Sequence, residues 1–232
     1  MTGLVLVAAA AALAQAFLGA PRASGAQPVG VLRLARPVFG SPRAQALADL
    51  GDQGNVEARR RGAQTLGETG TMSDLPRLVQ ALRDADSVVR AFAENAMWQV
   101  WSRSGDEQVD RLLALGIEQM QTRQGEAAVD TFTRVIELRP DFAEGWNKRA
   151  TVYYLLGEYA RSLADCDEVM KRNPYHFGAL SGYGMIYLQL GEPEKALLYM
   201  DRALAVNPNL HQVEETAQTL RRLLIQRRKD TI

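Results

Sequence analysis

Few side chains in this sequence could carry covalent or metal chemistry. The chain has one cysteine, Cys166, and two histidines, His176 and His211. A single thiol forms no internal disulfide, and no second His, Cys or acidic pair stands near His176 at a metal-ligand spacing. We therefore expect no catalytic residue, no metal and no cofactor. We interpret Cys166 as a buried structural thiol and His176 as a packing or helix-capping residue.

The composition excludes further classes of function. Of 232 residues, 47% are hydrophobic, and 27 Lys and Arg balance 27 Asp and Glu, so the formal net charge is +0. A strongly basic nucleic-acid-binding protein is excluded by this balance. The apolar fraction is large enough for a folded core without disulfides. We therefore expect a folded chain that is not a nucleic-acid-binding protein.

The first 26 residues are typical of a secretory signal peptide. An apolar run from Leu4 to Leu18 is followed by small residues that end at Ala26, where we expect cleavage. The chain is then predicted to be secreted into a periplasm-like space. Two alternatives stay open: an uncleaved membrane anchor, and an organelle transit peptide, because no acidic residue precedes Asp49. Residues 27–42, which contain three prolines, are predicted to be a linker.

A proline recurs at a fixed spacing in the second half of the chain. Pro140, Pro174 and Pro208 lie 34 residues apart, and apolar or small residues recur at set distances before each of them. Between the prolines, apolar residues follow helical spacing. Each proline ends one helix and begins the next. The segment therefore predicts pairs of helices that must stack, because a single pair cannot bury its apolar face.

This register resembles that of the tetratricopeptide repeat family, W-x2-L-G-x2-Y, then A-x3-F, then P. The middle repeat has Trp146 and Tyr153 in place. In the third, Gly184 lies within a helix, so we expect the paired helix to approach closely at Ala196. The first repeat is the weakest, because its turn glycine is displaced to Gly125. The resemblance implies three repeats and a capping helix, with these bounds: 109–142, 143–176, 177–210 and 211–228.

A second periodicity, of 31 residues, precedes these repeats. The pairs that align are Asn55 with Asp86, Arg59 with Arg90, Gly62 with Ala93, and Leu66 with Met97. The second copy resembles the short HEAT-type repeat, whose D-x-x-V-R-x-x-A motif matches residues 86–93. The first copy departs from it at Gly62. We predict HEAT-like repeats over 43–104 that continue into the tetratricopeptide repeats as one right-handed, all-α solenoid with a C-terminal capping helix.

The resemblance also implies where a ligand would bind. In tetratricopeptide proteins the first helix of each pair lines a concave groove that holds a peptide. The positions that carry over to this chain are Leu113, Ile117, Met120, Asn147, Lys148, Thr151, Tyr154, Met185, Leu188 and Gln189. Asn and Gln amides both donate and accept hydrogen bonds, which favours sequence-tolerant binding of an extended peptide.

One subfamily of tetratricopeptide proteins grips the C-terminal carboxylate of a chaperone with Lys, Arg and Asn. At the corresponding positions this chain has Leu113, Ile117, Lys148, Gly178 and Gly182. Only one of these carries a charge, so we expect no carboxylate clamp.

We predict a non-catalytic scaffold that binds a peptide or protein segment in the cell envelope. Contact with a membrane would occur only through an uncleaved N-terminal segment. One alternative is a structural repeat protein that associates with itself as a homo-oligomer without an external ligand. Another is a cofactor-attaching lyase, which some short HEAT-repeat proteins resemble.

Overall fold

The computed structural model describes residues 40–230 of the chain. The predicted signal peptide and most of the predicted linker lie outside these residues. Eleven α-helices, one short 3₁₀ helix at Met72–Asp74 and no strand occur within the described range. In chain order the α-helices are α1 (Pro42–Leu50), α2 (Val56–Thr69), α3 (Leu75–Ala81), α4 (Ser87–Trp101), α5 (Glu107–Gln121), α6 (Gly125–Leu138), α7 (Ala143–Leu155), α8 (Tyr159–Arg172), α9 (Phe177–Gln189), α10 (Pro193–Val206) and α11 (His211–Asp230). The prediction of an all-α helical repeat fold is confirmed.

Residues 40–230 contain no helix with both the length and the apolar composition needed to cross a bilayer. The described residues form two compact units, which divide between Val100 and Trp101.

Polar side chains fix where the helices of the first unit, residues 40–100, begin. Ser41 Oγ accepts a hydrogen bond from Ala44 N at 3.2 Å at the start of α1. Asn55 Oδ1 accepts one from Ala58 N at 3.1 Å at the start of α2. Asp86 Oδ1 accepts two, at 3.0 and 3.1 Å, from the first turn of α4. Each side chain satisfies N–H groups that a helix start leaves without a backbone partner.

Arg59 and Arg90, which align at the spacing of 31 residues, make equivalent contacts. Arg59 Nη1 donates to two carbonyl oxygens of the turn before α2, at 3.1 and 3.2 Å. Arg90 Nη1 donates to two carbonyl oxygens of the turn before α4, at 2.8 and 3.1 Å. Because Asn55 and Asp86 also act alike as helix caps, the internal periodicity is confirmed. The resemblance to the HEAT family stays a prediction.

In the second unit, residues 101–230, each of the three helix hairpins turns through a residue with positive φ. Gly157 and Gly191 have φ of 77° and 73°, and Arg123 has φ of 61° at the equivalent position of the first repeat. Gly125 is instead the first residue of α6. The prediction of a displaced turn glycine is therefore wrong: the turn keeps its register, and an arginine adopts the left-handed conformation that usually favours glycine.

The paired helices of the third repeat approach closely at Gly184, as predicted. A Cβ atom there would lie 2.8 Å from Met200 Cγ and 3.4 Å from the Ala196 carbonyl oxygen. The last helix, α11, covers this repeat with a buried stripe of Val213, Ala217 and Leu220. Apart from Ile225, which is 57% exposed, the exposed side chains of α11 are polar, so α11 caps the stack of hairpins as the sequence indicates.

Candidate protein-binding groove

The structure divides the predicted groove residues into a buried and an accessible set. The buried residues, each at most 7% exposed, are Leu113, Met120, Asn147, Lys148, Thr151 and Met185. The accessible residues, half-buried or exposed, are Ile117, Tyr154, Leu188 and Gln189. Three of the buried residues, Leu113, Met120 and Met185, pack in apolar core clusters. We expected the whole set to line an open surface, and for the six buried side chains this expectation is wrong.

Four buried polar side chains, Glu144, Asn147, Lys148 and His176, form what we call the Glu144 cluster. Glu144 Oε1 lies 3.1 Å from Lys148 Nζ, and Glu144 Oε2 lies 3.0 Å from His176 Nε2. Asn147 Nδ2 donates to Glu144 Oε2 at 3.2 Å. A carboxylate and an ammonium are thus held together inside the unit, where each would be costly without the other.

His176 joins the second and third repeats through this cluster. Its Nδ1 accepts a hydrogen bond from Ala179 N at 3.0 Å and so caps α9. Because Nδ1 accepts, Nε2 carries the proton of the neutral ring and donates it to Glu144. The prediction that His176 caps a helix is confirmed.

The charge state of Glu144 follows from these neighbours. Burial alone would raise the pKa of Glu144, but the positive charge of Lys148 and the hydrogen bond from His176 outweigh it. Together they lower the pKa of Glu144 from 4.5 to about 2. Glu144 is therefore ionised at neutral pH and neutralises the charge of Lys148.

Trp101, the last residue of α4, stacks on the ring of His176 in the Glu144 cluster. The two rings stack with centroids 4.3 Å apart and an angle of 18° between their planes. Trp101 also contacts Phe177, with centroids 5.0 Å apart, and is 3% exposed. The sequence indicates neither this stack nor the pairing of Glu144 with Lys148. Two features of the sequence could have indicated these contacts: a Trp shortly before the first repeat, and a Glu four residues before Lys148 on the same helix.

In the second and third repeats, the accessible part of the groove lies at the C-terminal ends of α7 and α9. Gln189 Nε2 lies 3.4 Å from Tyr154 Oη, which links the second and third repeats at the outer limit of a hydrogen bond. Leu155 and Leu190, the next residues in the chain, are 52% and 44% exposed. We call Tyr154, Leu155, Gln189 and Leu190, together with the half-buried Leu188, the Tyr154 surface.

Cys166 has no exposed surface, so its interpretation as a buried structural thiol is confirmed. Burial, together with the neighbouring charges of Asp165 and Asp167, raises the pKa of its thiol. A protonated, inaccessible thiol is a poor nucleophile. Among residues 40–230, no three His, Cys, Asp or Glu side chains are grouped as a metal ion would require.

Comparison with known proteins identifies the second unit. Two models of the tetratricopeptide repeat match the chain, over residues 113–177 and 177–210. A TPR repeat-containing protein of Rhizobium etli is 32% identical over 139 residues, which are 60% of this chain and 66% of that protein. Together with the stacked hairpins, these matches establish that the chain belongs to the tetratricopeptide repeat family.

Two further proteins are similar to parts of the chain. Anaphase-promoting complex subunit 3 of Schizosaccharomyces pombe is 29% identical over 87 residues, which are 38% of this chain and 13% of that protein. The chain thus spans just under two thirds of the Rhizobium relative and a small part of the fission yeast one. The crystal structure of the Sgt2 TPR domain from Aspergillus fumigatus has a TM-score of 0.50 and 17% identity, over 53% of this chain and 83% of that one. This likeness concerns the fold.

Proposed function

We propose that this chain is a non-catalytic scaffold that binds a peptide or protein segment on the Tyr154 surface. The observation that carries the proposal is the contact of Tyr154 with Gln189, each followed in the sequence by an exposed leucine, at the only part of the predicted groove in the second and third repeats that stays accessible among the described residues. Membership of the tetratricopeptide repeat family supports a role in protein interaction.

The side chains of this surface define the chemistry of the bound segment. A phenol hydroxyl and a primary amide both donate and accept hydrogen bonds, and the adjacent leucines offer apolar area. The surface itself has no charged side chain, and Lys148 is neutralised within the Glu144 cluster. The segment is therefore an internal stretch with apolar and neutral polar side chains, not a terminal carboxylate.

Replacing both Tyr154 and Gln189 with Ala is expected to weaken binding by about 30-fold or more, because an aromatic anchor of an interface typically contributes 2 kcal/mol or more. A peptide selected from a display library against the wild-type chain serves as the ligand, and its Kd is measured by calorimetry. The Tm should change by less than about 3 °C, since neither side chain is fully buried.

Leu198→Ala provides the matched control. Leu198 is 56% exposed and lies on α10, the second helix of the third repeat. It should leave the Kd of the selected peptide unchanged. Equal losses in the control and the double variant, or no loss in either, would reject the Tyr154 surface as the binding site.

We further propose that the chain acts in the cell envelope after cleavage of residues 1–26. The apolar run that ends before the small residues at 23–26 supports this proposal. Mass determination of the mature protein, purified from the native host, should give a chain that begins at Gln27. A mature chain that retains residues 1–26 would contradict cleavage.

A further inference from the structure

The last turns of α11 carry an exposed apolar side chain. Ile225 is 57% exposed, more than any other large hydrophobic side chain among the described residues. It lies outside the buried stripe of Val213, Ala217 and Leu220 that packs on the third repeat. Capping of the repeats therefore does not account for an isoleucine at this position.

The neighbours of Ile225 on the helix surface are basic. Residues three and four positions apart lie next to each other on an α-helix. On either side of Ile225 these positions hold Arg221, Arg222, Arg228 and Lys229. Four cations therefore surround one apolar side chain.

Three of these cations keep their charge. Residues 221–230 contain five basic side chains and one acidic one. Arg222 donates from Nη2 to the Thr219 hydroxyl at 3.2 Å, and a hydroxyl does not neutralise a guanidinium group. Arg228 and Lys229 make no hydrogen bond or ion pair with the rest of the described chain. We define the Ile225 face as Arg222, Ile225, Arg228 and Lys229.

Acidic side chains near this face have other partners. Arg221, the fourth basic neighbour, pairs with Asp201 of α10 and lies 3.6 Å from Glu214 Oε1. Asp230 Oδ1 accepts a hydrogen bond from Gln226 Nε2 at 2.8 Å. The Ile225 face therefore has no acidic partner within the described residues, and it presents positive charge beside apolar area.

The shape of the Ile225 face favours a flat ligand. All side chains of residues 225–230 are exposed, so the end of α11 is convex and forms no groove with the rest of the described chain. A bound peptide typically needs a groove or a sheet edge. A bilayer surface needs neither, because Arg and Lys side chains reach anionic headgroups while an apolar side chain enters the boundary with the acyl chains.

We propose that the Ile225 face binds the surface of a lipid bilayer with anionic headgroups. The three cations contact the headgroups, and Ile225 enters the boundary with the acyl chains. Stabilisation of the helix dipole accounts for cations in the last turn, but not for Arg222, which lies two turns earlier, or for Ile225. The proposal adds a route to the membrane besides the N-terminal segment expected from the sequence, and it does not involve the Tyr154 surface.

Co-sedimentation of the full chain with vesicles tests the proposal. Vesicles of phosphatidylcholine with about 30% phosphatidylserine are compared with vesicles of phosphatidylcholine alone. We expect binding to the anionic vesicles to be about tenfold tighter or more, because each cation near an anionic bilayer strengthens binding by about fivefold. The apolar run Leu4–Leu18 has no charged side chain and so does not produce this difference. Equal binding to both kinds of vesicle would overturn the proposal.

Two variants locate the binding on this face. Arg228→Gln combined with Lys229→Gln should weaken binding to the anionic vesicles by about tenfold or more, and Ile225→Ser by about threefold. The control combines Arg111→Gln with Arg134→Gln, which removes the same charge from exposed positions of α5 and α6. If this control loses as much affinity as the α11 double variant, the vesicles respond to the general charge of the chain and the assigned face is wrong.

Soluble polyglutamate separates a lipid surface from an acidic protein segment as the ligand. It offers negative charge without an apolar layer, so it should bind at least about tenfold more weakly than the anionic vesicles, and Ile225→Ser should not change its affinity. If polyglutamate binds as tightly as the vesicles, or if Ile225→Ser binds the vesicles like the wild-type chain, the face recognises negative charge alone and the proposed bilayer contact is wrong.

Discussion

Replacing Glu144 with Ala is expected to lower the free energy of unfolding of the second unit by about 3–5 kcal/mol, because it leaves a buried ammonium without its partner. Lys148 is 4% exposed and lies 3.1 Å from Glu144 Oε1. The substitution also removes the acceptor of His176 and of Asn147. Urea unfolding followed by circular dichroism measures the loss. Glu118→Ala, at an exposed position of α5, should change stability by less than about 1 kcal/mol.

The pH dependence of the free energy of unfolding tests the same interaction independently. The pKa of Glu144 is lowered from 4.5 to about 2 in the folded chain. The unfolded chain therefore takes up this proton first as the pH falls, so the contribution of Glu144 is complete above about pH 4.5 and is lost towards pH 2. The shift corresponds to about 3 kcal/mol. Wild-type stability should fall more steeply than that of Glu144→Gln across this window. Parallel curves would show that the cluster does not hold Glu144 ionised.

Gly62→Ala is expected to destabilise the first unit by about 2–3 kcal/mol, although alanine normally stabilises a helix relative to glycine by about 1 kcal/mol. A Cβ at this position of α2 would lie 2.5 Å from Leu50 N and 2.6 Å from the Ala46 carbonyl oxygen. Both atoms are backbone, so no side chain can move aside and α1 must shift as a whole. Hydrogen exchange of the α1 amides reports the change within this unit.

Gly54→Ala serves as the control for this substitution. A Cβ there would meet only Asp52 Oδ1, at an ordinary contact distance of 3.5 Å. We expect its effect to stay within about 0.5 kcal/mol. A Gly→Ala substitution at a solvent-exposed helical site is stabilising. If Gly62→Ala also stabilised the unit, α1 and α2 would not approach each other as closely as the structure shows.

The hairpins of the second unit were predictable because their signal is local. Evenly spaced prolines end helices through the geometry of the proline ring itself, whatever surrounds them. The helix cap formed by His176 likewise depends on residues three apart. Gly62 departs from the repeat motif, and the structure supplies the reason: the backbone of α1 occupies the space that a Cβ atom would need.

The accessibility of the groove was not predictable, because it depends on contacts distant in the chain. Helical register places Asn147 and Thr151 on the predicted groove face, but it does not reveal that both are fully buried. The stack of Trp101 on His176 joins residues 75 positions apart. Arg149, which stands where the family pattern has leucine, donates from Nε and Nη2 to the two carboxylate oxygens of Asp165, both at 2.8 Å, and the two residues are 16 positions apart.

Site-specific photo-crosslinking in the native host tests most directly whether the Tyr154 surface recruits another protein. A benzophenone amino acid is placed at Tyr154, at Leu190 or at Leu198, and the adducts are identified by mass spectrometry. We expect the probes at Tyr154 and Leu190 to capture the same partner protein and the probe at Leu198 not to capture it. Adducts of the chain only with itself, or equal capture from all three positions, would contradict this expectation.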